Sequence, residues 1–399
     1  MPRFNRPGQV STLVALTLFH GTRLFGAVTD NFDDGNDAGW TRYTPLAAFG
    51  AGATMTFPGG WYRIQAPPSP APGLLGPQRA GSIRTDQPYS RVRVSADITA
   101  WSVDVHQSVG LFARMKDVGL ATTKGYTFNY NSQSGYFQLT RVNNESPERT
   151  VDESPWRIDP AGSYRMVLTA VGDLLLGQAY ASTNLTVPVH SLFGQDTVFD
   201  TGSAGVFAFA LNAETGIDAR FDNYEVAAAP EVVRATLLTV SPRPGERPAA
   251  PIASVVVKLV DLETSVNSDT LRLEVDGVAA GPLERLAPDL VTLLTWTPST
   301  PLAADKPHTA KLTFSDEKGP QEYVWSFGPP PAASSLELVG AGRPEGVYET
   351  EQAAVHDAAA RRFTVPVAGT TRFYRVRDSV ARTLKSIAVS GGNAVVEYQ

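Results

Sequence analysis

The chain contains no cysteine, which excludes disulfides, thiolate metal sites and thiol nucleophiles together. Histidine is scarce as well: His20, His106, His190, His308 and His356 stand apart, and no two have the strand or helix spacing of paired metal ligands. Only His106, in the connection after Trp101, lies near a candidate site. Charge is low and mixed. Charged residues are 19% of the chain, the net charge is −6 and no Lys/Arg block occurs, so the field that concentrates phosphate polymers is missing and nucleic acid is excluded as a partner. No Gly-x-Ser-x-Gly elbow or phosphate loop occurs, which removes the usual serine-hydrolase and nucleotide signatures. The apolar run at residues 10–19 is about half of a membrane span, so no transmembrane anchor is expected.

What is present points to packed β modules. Hydrophobic residues make up 42%, enough for several cores, and the 34 Gly and 30 Pro are scattered as turn punctuation, as many short strands require. At the N-terminus, Arg3 and Arg6 precede the apolar run and then Gly26-Ala27, the order of a secretory signal. Residues 1–27 are read as a signal peptide, and the protein as secreted or cell-surface, extracellular or periplasmic.

Two seams divide the rest. Ala227-Ala228-Ala229-Pro230 follows an aromatic strand, and residues 328–331 form a Gly-Pro-Pro-Pro run that neither continues a helix nor donates to a sheet. The expected modules are 28–229, 230–329 and 330–399. In the first, the clearest strand is 91–101, where Val92, Val94, Ala96, Ile98 and Ala100 face one way and Arg93, Ser95, Asp97, Thr99 and Trp101 the other. Further strands are predicted at 109–115, 125–131, 135–142, 164–170, 174–180, 206–211 and 219–226. Glu145, Glu148, Asp152 and Glu153 read as a solvated hairpin end, and 351–362 as a possible short helix in an otherwise β tail. The fold class is all-β: antiparallel strands in a two-sheet sandwich, then smaller β modules.

A resemblance rests on particular residues. The opening Asp30-Asn31-Phe32-Asp33-Asp34-Gly35 with Gly39-Trp40, the central Gly110-Leu111-Phe112-Ala113-Arg114, Gly125-Tyr126 and the closing Ala219-Arg220-Phe221-Asp222-Asn223-Tyr224 resemble concanavalin A-like, laminin-G-like jelly rolls of secreted bacterial proteins. Residues 241–245 and 297–302 with Asp316-Glu317-Lys318-Gly319 resemble a bacterial immunoglobulin-like spacer. Phe373-Tyr374-Arg375 and the last strand, 394–398, resemble a small C-terminal module of secreted multidomain proteins. The first resemblance implies a curved sandwich often used to bind or cleave glycans, although a fold does not determine a function.

Strand parity sets the expected ligand surface. Arg93, Asp97 and Trp101 on one strand, Arg114 on the next, Asn129 on the third, and Tyr136 with Gln138 on the fourth would line one concave face, an aromatic plane among polar groups being what a pyranose needs. Calcium is the only metal to consider. The resemblance implies a structural ion where Asp30, Asp33 and Asp34 meet Asp222; the alternative is that these residues make turns and caps. No cofactor is otherwise required. The paired carboxylates of laminarinase-like strands, Glu-x-Asp-x-x-Glu, are absent. The leading expectation is therefore a non-catalytic glycan-binding or adhesion protein whose partner is a polysaccharide or glycoconjugate. A glycoside hydrolase on the same fold and a structural surface protein remain as alternatives.

Overall fold

The computed structural model describes residues 26–98, 105–287, 289–329, 336–341, 348–357, 360–367, 372–377 and 384–398. The expected signal, apart from Gly26 and Ala27, and Trp101 lie outside these. The all-β expectation holds. By contact the chain forms two compact units, one of residues 1–177 with 193–231 and one of residues 178–192 with 232–399. Among the described residues no helix is long and apolar enough to cross a membrane.

The strands of the N-terminal part are β1 (Val28–Asp30), β2 (Trp40–Tyr43), β3 (Thr54–Thr56), β4 (Tyr62–Ala66), β5 (Arg79–Tyr89), β6 (Val92–Ile98), β7 (Gln107–Lys116) and β8 (Lys124–Asn131). They continue as β9 (Tyr136–Asn143), β10 (Ser146–Pro155), β11 (Tyr164–Val171), β12 (Leu174–Ala181), β13 (His190–Gln195), β14 (Gly202–Ala210) and β15 (Ile217–Ala228). A first sheet runs β13-β12-β11-β6-β15-β4-β3 with β1 also on β15, and a second runs β10-β9-β8-β7-β14-β5-β2. Period-two alternation explains which side chains meet between them. Val92, Val94, Ala96 and Ile98 of β6 are buried, as are Tyr126, Phe128 and Tyr130 of β8 and Ala204, Val206 and Ala208 of β14. The sheets approach closely: a Cβ on Gly177 would stand 2.3 Å from the Phe128 ring, so only glycine admits that ring.

Two segments differ from the sequence reading. The acidic stretch expected as a solvated hairpin end is the ten-residue strand β10, paired along β9. Its charges are accommodated by pairing, Glu148 with Arg141 and Asp152 with the backbone N–H of Phe193. No helix forms among the described residues of 351–362, where Val355–Asp357 and Arg362–Pro366 pair as strands; tertiary pairing overrides propensity there.

In the second unit, Thr236–Ser241, Val255–Val260, Val291–Trp296 and Leu283–Leu286 form one sheet, and Val278–Ala279, Asn267–Val275, His308–Asp316 and Gly319–Phe327 another. They share one core, in which Trp325 is buried with its indole N–H bonded to the Pro242 carbonyl at 2.9 Å. Asp316 accepts from Arg234, the Thr264 hydroxyl and the Lys318 N–H. Burial pushes its carboxyl up, and these bonds outweigh it to hold the group at about 2. A separate cluster around Phe363, Val396 and Tyr398 holds the C-terminal strands.

Candidate functional site

On the outer face of the second sheet the registers align side chains in rows across the strands. One row is Phe209 (β14), Ser108 (β7), Asn131 (β8) and Tyr136 (β9). The next is Phe207, Gly110, Asn129 and Gln138, reaching Glu153 on β10. The third is Ile83 (β5), Gly205, Phe112, Thr127 and Thr140. Hydrogen bonds run across the second row and into the first. The Asn129 amide donates to Ser108 Oγ at 2.7 Å and to Gln138 Oε1 at 3.3 Å, and Gln138 Nε2 donates to Glu153 at 3.0 Å. Ser108 and Asn129 are buried at 0% and 2% exposure, so they fix the orientation of Gln138 and Glu153, which reach the surface. Beside them Phe112 and Phe207 stack at 4.4 Å and Phe207 and Phe209 at 6.0 Å, with Phe209 half-buried.

This face is concave. Glu145, on the β9–β10 turn, bonds Arg79 on β5 at 2.5 Å and the Tyr43 hydroxyl on β2. Along a flat sheet β9 and β5 would stand four strand spacings of about 4.8 Å apart, further than two side chains reach, so the sheet curls toward itself.

The face unites part of the expected set. Asn129, Tyr136 and Gln138 belong to it; Ser108, Phe209 and Glu153 complete it and were not anticipated. The alternation Phe207-x-Phe209 and Thr127-x-Asn129-x-Asn131 was a usable signal for the missing members. Arg93 and Asp97 are elsewhere, on the outer face of β6 in the first sheet, so one surface with Asn129 and Gln138 is impossible for them. Trp101 lies outside the described residues.

Arg114 is the largest correction. Parity from Phe112 puts it on the outer face, but β7 carries a register shift there and Arg114 takes φ +52°, which turns the side chain into the end of the sandwich. It is 1% exposed, and its guanidinium donates to the carbonyls of Ser90 (2.6 Å), Gly172 (2.8 Å) and Phe199 (3.0 Å) beside a cavity of about 300 Å³. Burial holds its pKa below the ordinary arginine value. It is a clamp on three turns.

The four expected calcium ligands do not converge. Asp30 uses one oxygen on the Phe32 N–H (2.9 Å) and the other on the Trp40 indole (2.8 Å), holding in place the Phe32 ring that stacks on Tyr62 and the Trp40 ring that meets Tyr224 edge-on. Asp33 accepts from Asn31 and Asp34 from the Asn36 N–H, both turn contacts. Among the described residues no group of three or more His, Asp or Glu side chains is disposed to hold a metal. The donor set fits turn chemistry rather than an ion demanding six to eight oxygens.

Asp222 instead faces Asp97. The two are register partners on β15 and β6, and Asp97 is held by Asn223 Nδ2 (2.9 Å) and Arg165 (3.3 Å). Arg165 and Asn223 also wall a polar groove of about 700 Å³ that reaches Asp30 and Asp34. Burial first, then the negative charges of Asp97 and Asp33, raise the Asp222 pKa. A raised carboxyl pKa costs stability once pH exceeds the unfolded value, because the folded state retains the proton longer. Asp222→Asn is therefore expected to stabilise the protein at neutral pH by roughly 0.2 to 1 kcal/mol, the range for relieving a like-charge cross-strand pair. Thermal melts should show this gain shrinking as pH falls toward the ordinary carboxylate range; a variant less stable at pH 7 refutes it.

No protein-family model matches this chain, and no curated protein matches it. Among solved structures, a carbohydrate-binding module, CBM66 from Bacillus subtilis, is similar at 17% identity over 48% of this chain and 97% of its own, with a TM-score of 0.35. A Bacillus licheniformis β-glucanase is similar at 12% identity over 51% of this chain and 99% of its own (TM-score 0.36). A basic winged bean lectin with Tn-antigen is similar at 9% over 51% and 98% (TM-score 0.35). At these values the likeness carries no conclusion about activity.

Proposed function

We propose that this is an exported glycan-binding protein whose N-terminal sandwich holds a polysaccharide or glycoconjugate on the concave outer face of the second sheet. The observation that carries the reading is the surface pair Gln138–Glu153, held in place from below by the buried Asn129 and Ser108, beside the half-buried Phe209 and Tyr136 rings. The planar Gln138 amide and the Glu153 carboxylate match neighbouring sugar hydroxyls, and a ring edge or face covers the apolar C–H surface. Export belongs to the same proposal and rests on the pattern of residues 1–27; the later modules then act as spacer and attachment.

A glycan array probed with the full chain tests this. For any hit, Gln138→Ala and Phe209→Ala are each expected to weaken binding by about ten- to a hundredfold, the loss of about 1 to 3 kcal/mol from one hydrogen bond to a charged network or one stacking ring. Arg93→Ala, on the other sheet, should leave affinity unchanged. Normal binding by both face variants would overturn the assignment.

A second reading, a glycoside hydrolase, is favoured by one observation. Asp97 and Asp222 are register partners, and facing cross-strand side chains stand about 5 Å apart, the spacing a retaining mechanism uses. Release of reducing sugar by the wild type and its loss in Asp97→Asn would replace the binding reading with this one.

A further inference from the structure

Hydrogen bonds on the concave face run in one direction. Glu153, at the outer end of the second row, has only acceptors, so Gln138 must turn its Nε2 toward it, at 3.0 Å. Gln138 Oε1 is then left to accept from the Asn129 amide at 3.3 Å, and the same amide donates to Ser108 Oγ at 2.7 Å. The carboxylate thereby decides which atom each amide presents, and the row ends in an acceptor. Glu153 points out of the sandwich, because its neighbour Asp152 reaches the other way, to the Phe193 N–H of the first sheet at 3.0 Å, and side chains alternate along a strand.

Charge on this face is unbalanced. Across the three rows the charged members are Arg79, the register partner of Phe209 through β14 and β5, and Glu153. Arg79 is neutralised by Glu145 at 2.5 Å, with side chains only 14% and 6% exposed. Glu153 is exposed, and among the described residues no cation pairs with it and its Oε1 accepts nothing. Arg157, in the connection after β10, turns instead to the Gln133 carbonyl at 3.2 Å. Diagonal to Glu153 on the same face stands the half-buried Tyr136 ring.

We infer, on the glycan-binding reading, that this face selects glycans carrying a free amino group, as in 2-amino-2-deoxy sugars without an N-acetyl group, and disfavours uronates and sulfated chains. The open oxygen of Glu153 requires a donor. A hydroxyl satisfies that atom, whereas an ammonium satisfies it through a charge-assisted bond, neutralises the face, and finds in Tyr136 a ring that attracts cations. A carboxylate or sulfate on the ligand meets like charge instead. N-acetylation removes the positive charge while keeping the sugar backbone, which makes it the natural comparison.

The test is titration of the full chain, with the amine protonated, using hexasaccharides of glucosamine, N-acetylglucosamine and glucose and an oligogalacturonate, or the corresponding forms of whichever backbone a glycan array selects. The amino form is expected to bind about three- to tenfold more tightly than the neutral ones, the range for an exposed pair with a charged hydrogen bond, and the preference should shrink as salt is added. Glu153→Gln, which can still accept from Gln138, should abolish the preference. Glu284→Gln, the same change of net charge in the second unit, should retain it. Equal or tighter binding of a neutral or acidic form overturns the selectivity while leaving glycan binding intact. A preference that survives Glu153→Gln also overturns it and assigns the effect to the overall negative charge. No binding by any of these or by any array glycan overturns the parent reading instead.

Discussion

Replacing Arg114 with alanine is expected to lower the melting midpoint of the N-terminal unit by about 10 °C or more, at roughly 2 to 4 °C per kcal/mol for a unit of this size. Three carbonyls lose their donor together, those of Ser90 and Gly172 at the surface and that of the buried Phe199. Each bond from the charged guanidinium contributes about 1.5 to 3 kcal/mol, and water reaching the exposed Ser90 and Gly172 carbonyls returns part of it, so a net loss of about 3 to 5 kcal/mol follows. Lysine restores the charge but not the planar fork, and Arg114→Lys should fall between. Calorimetry with hydrogen exchange on β7, β11 and β14 measures the effect. An alanine variant within 2 °C of the wild type, a margin set by that same scaling, would mean the clamp is redundant.

The second large effect is acid lability through His190. Only 4% exposed at the start of β13, its imidazole is lowered to about 4, first by burial and then by the positive charge of Arg243. The unfolded chain binds a proton near pH 6.5, while the folded chain refuses it until about 4. Stability contributed by neutral His190 is therefore complete above pH 6.5, lost progressively down to pH 4, and constant below. The expected loss is about 3 kcal/mol across that window. Denaturant titrations at stepped pH should show the slope in the wild type and a flatter one in His190→Gln; equal slopes would place the acid sensitivity on another group.

The difference between Asn129 and Arg114 shows how much of the site was legible. Both were assigned to the outer face by counting in twos along their strands. For Asn129 the count holds, because β8 runs without a break from Tyr126 to Asn131 and alternation is a property of the extended backbone itself. For Arg114 it fails at a single residue, where a left-handed backbone and a register shift invert the parity. That bulge is tolerated because neighbouring Gly202 lets the chains approach: a Cβ there would stand 2.4 Å from the Arg114 carbonyl carbon. Nothing in the local sequence around Arg114 announces it.

By itself the sequence determined the all-β class and the inner and outer faces of most N-terminal strands, because these depend on side chains two residues apart. The tertiary structure alone decided which strands became neighbours. It separated Arg93 and Asp97 from Asn129 and Gln138 onto different sheets, brought Asp222 against Asp97, and joined Glu145 to Arg79 across 66 residues of chain. Pairing order and register are set by the balance of core burial and ladder hydrogen bonds over the whole sandwich, and no short window of sequence contains that sum.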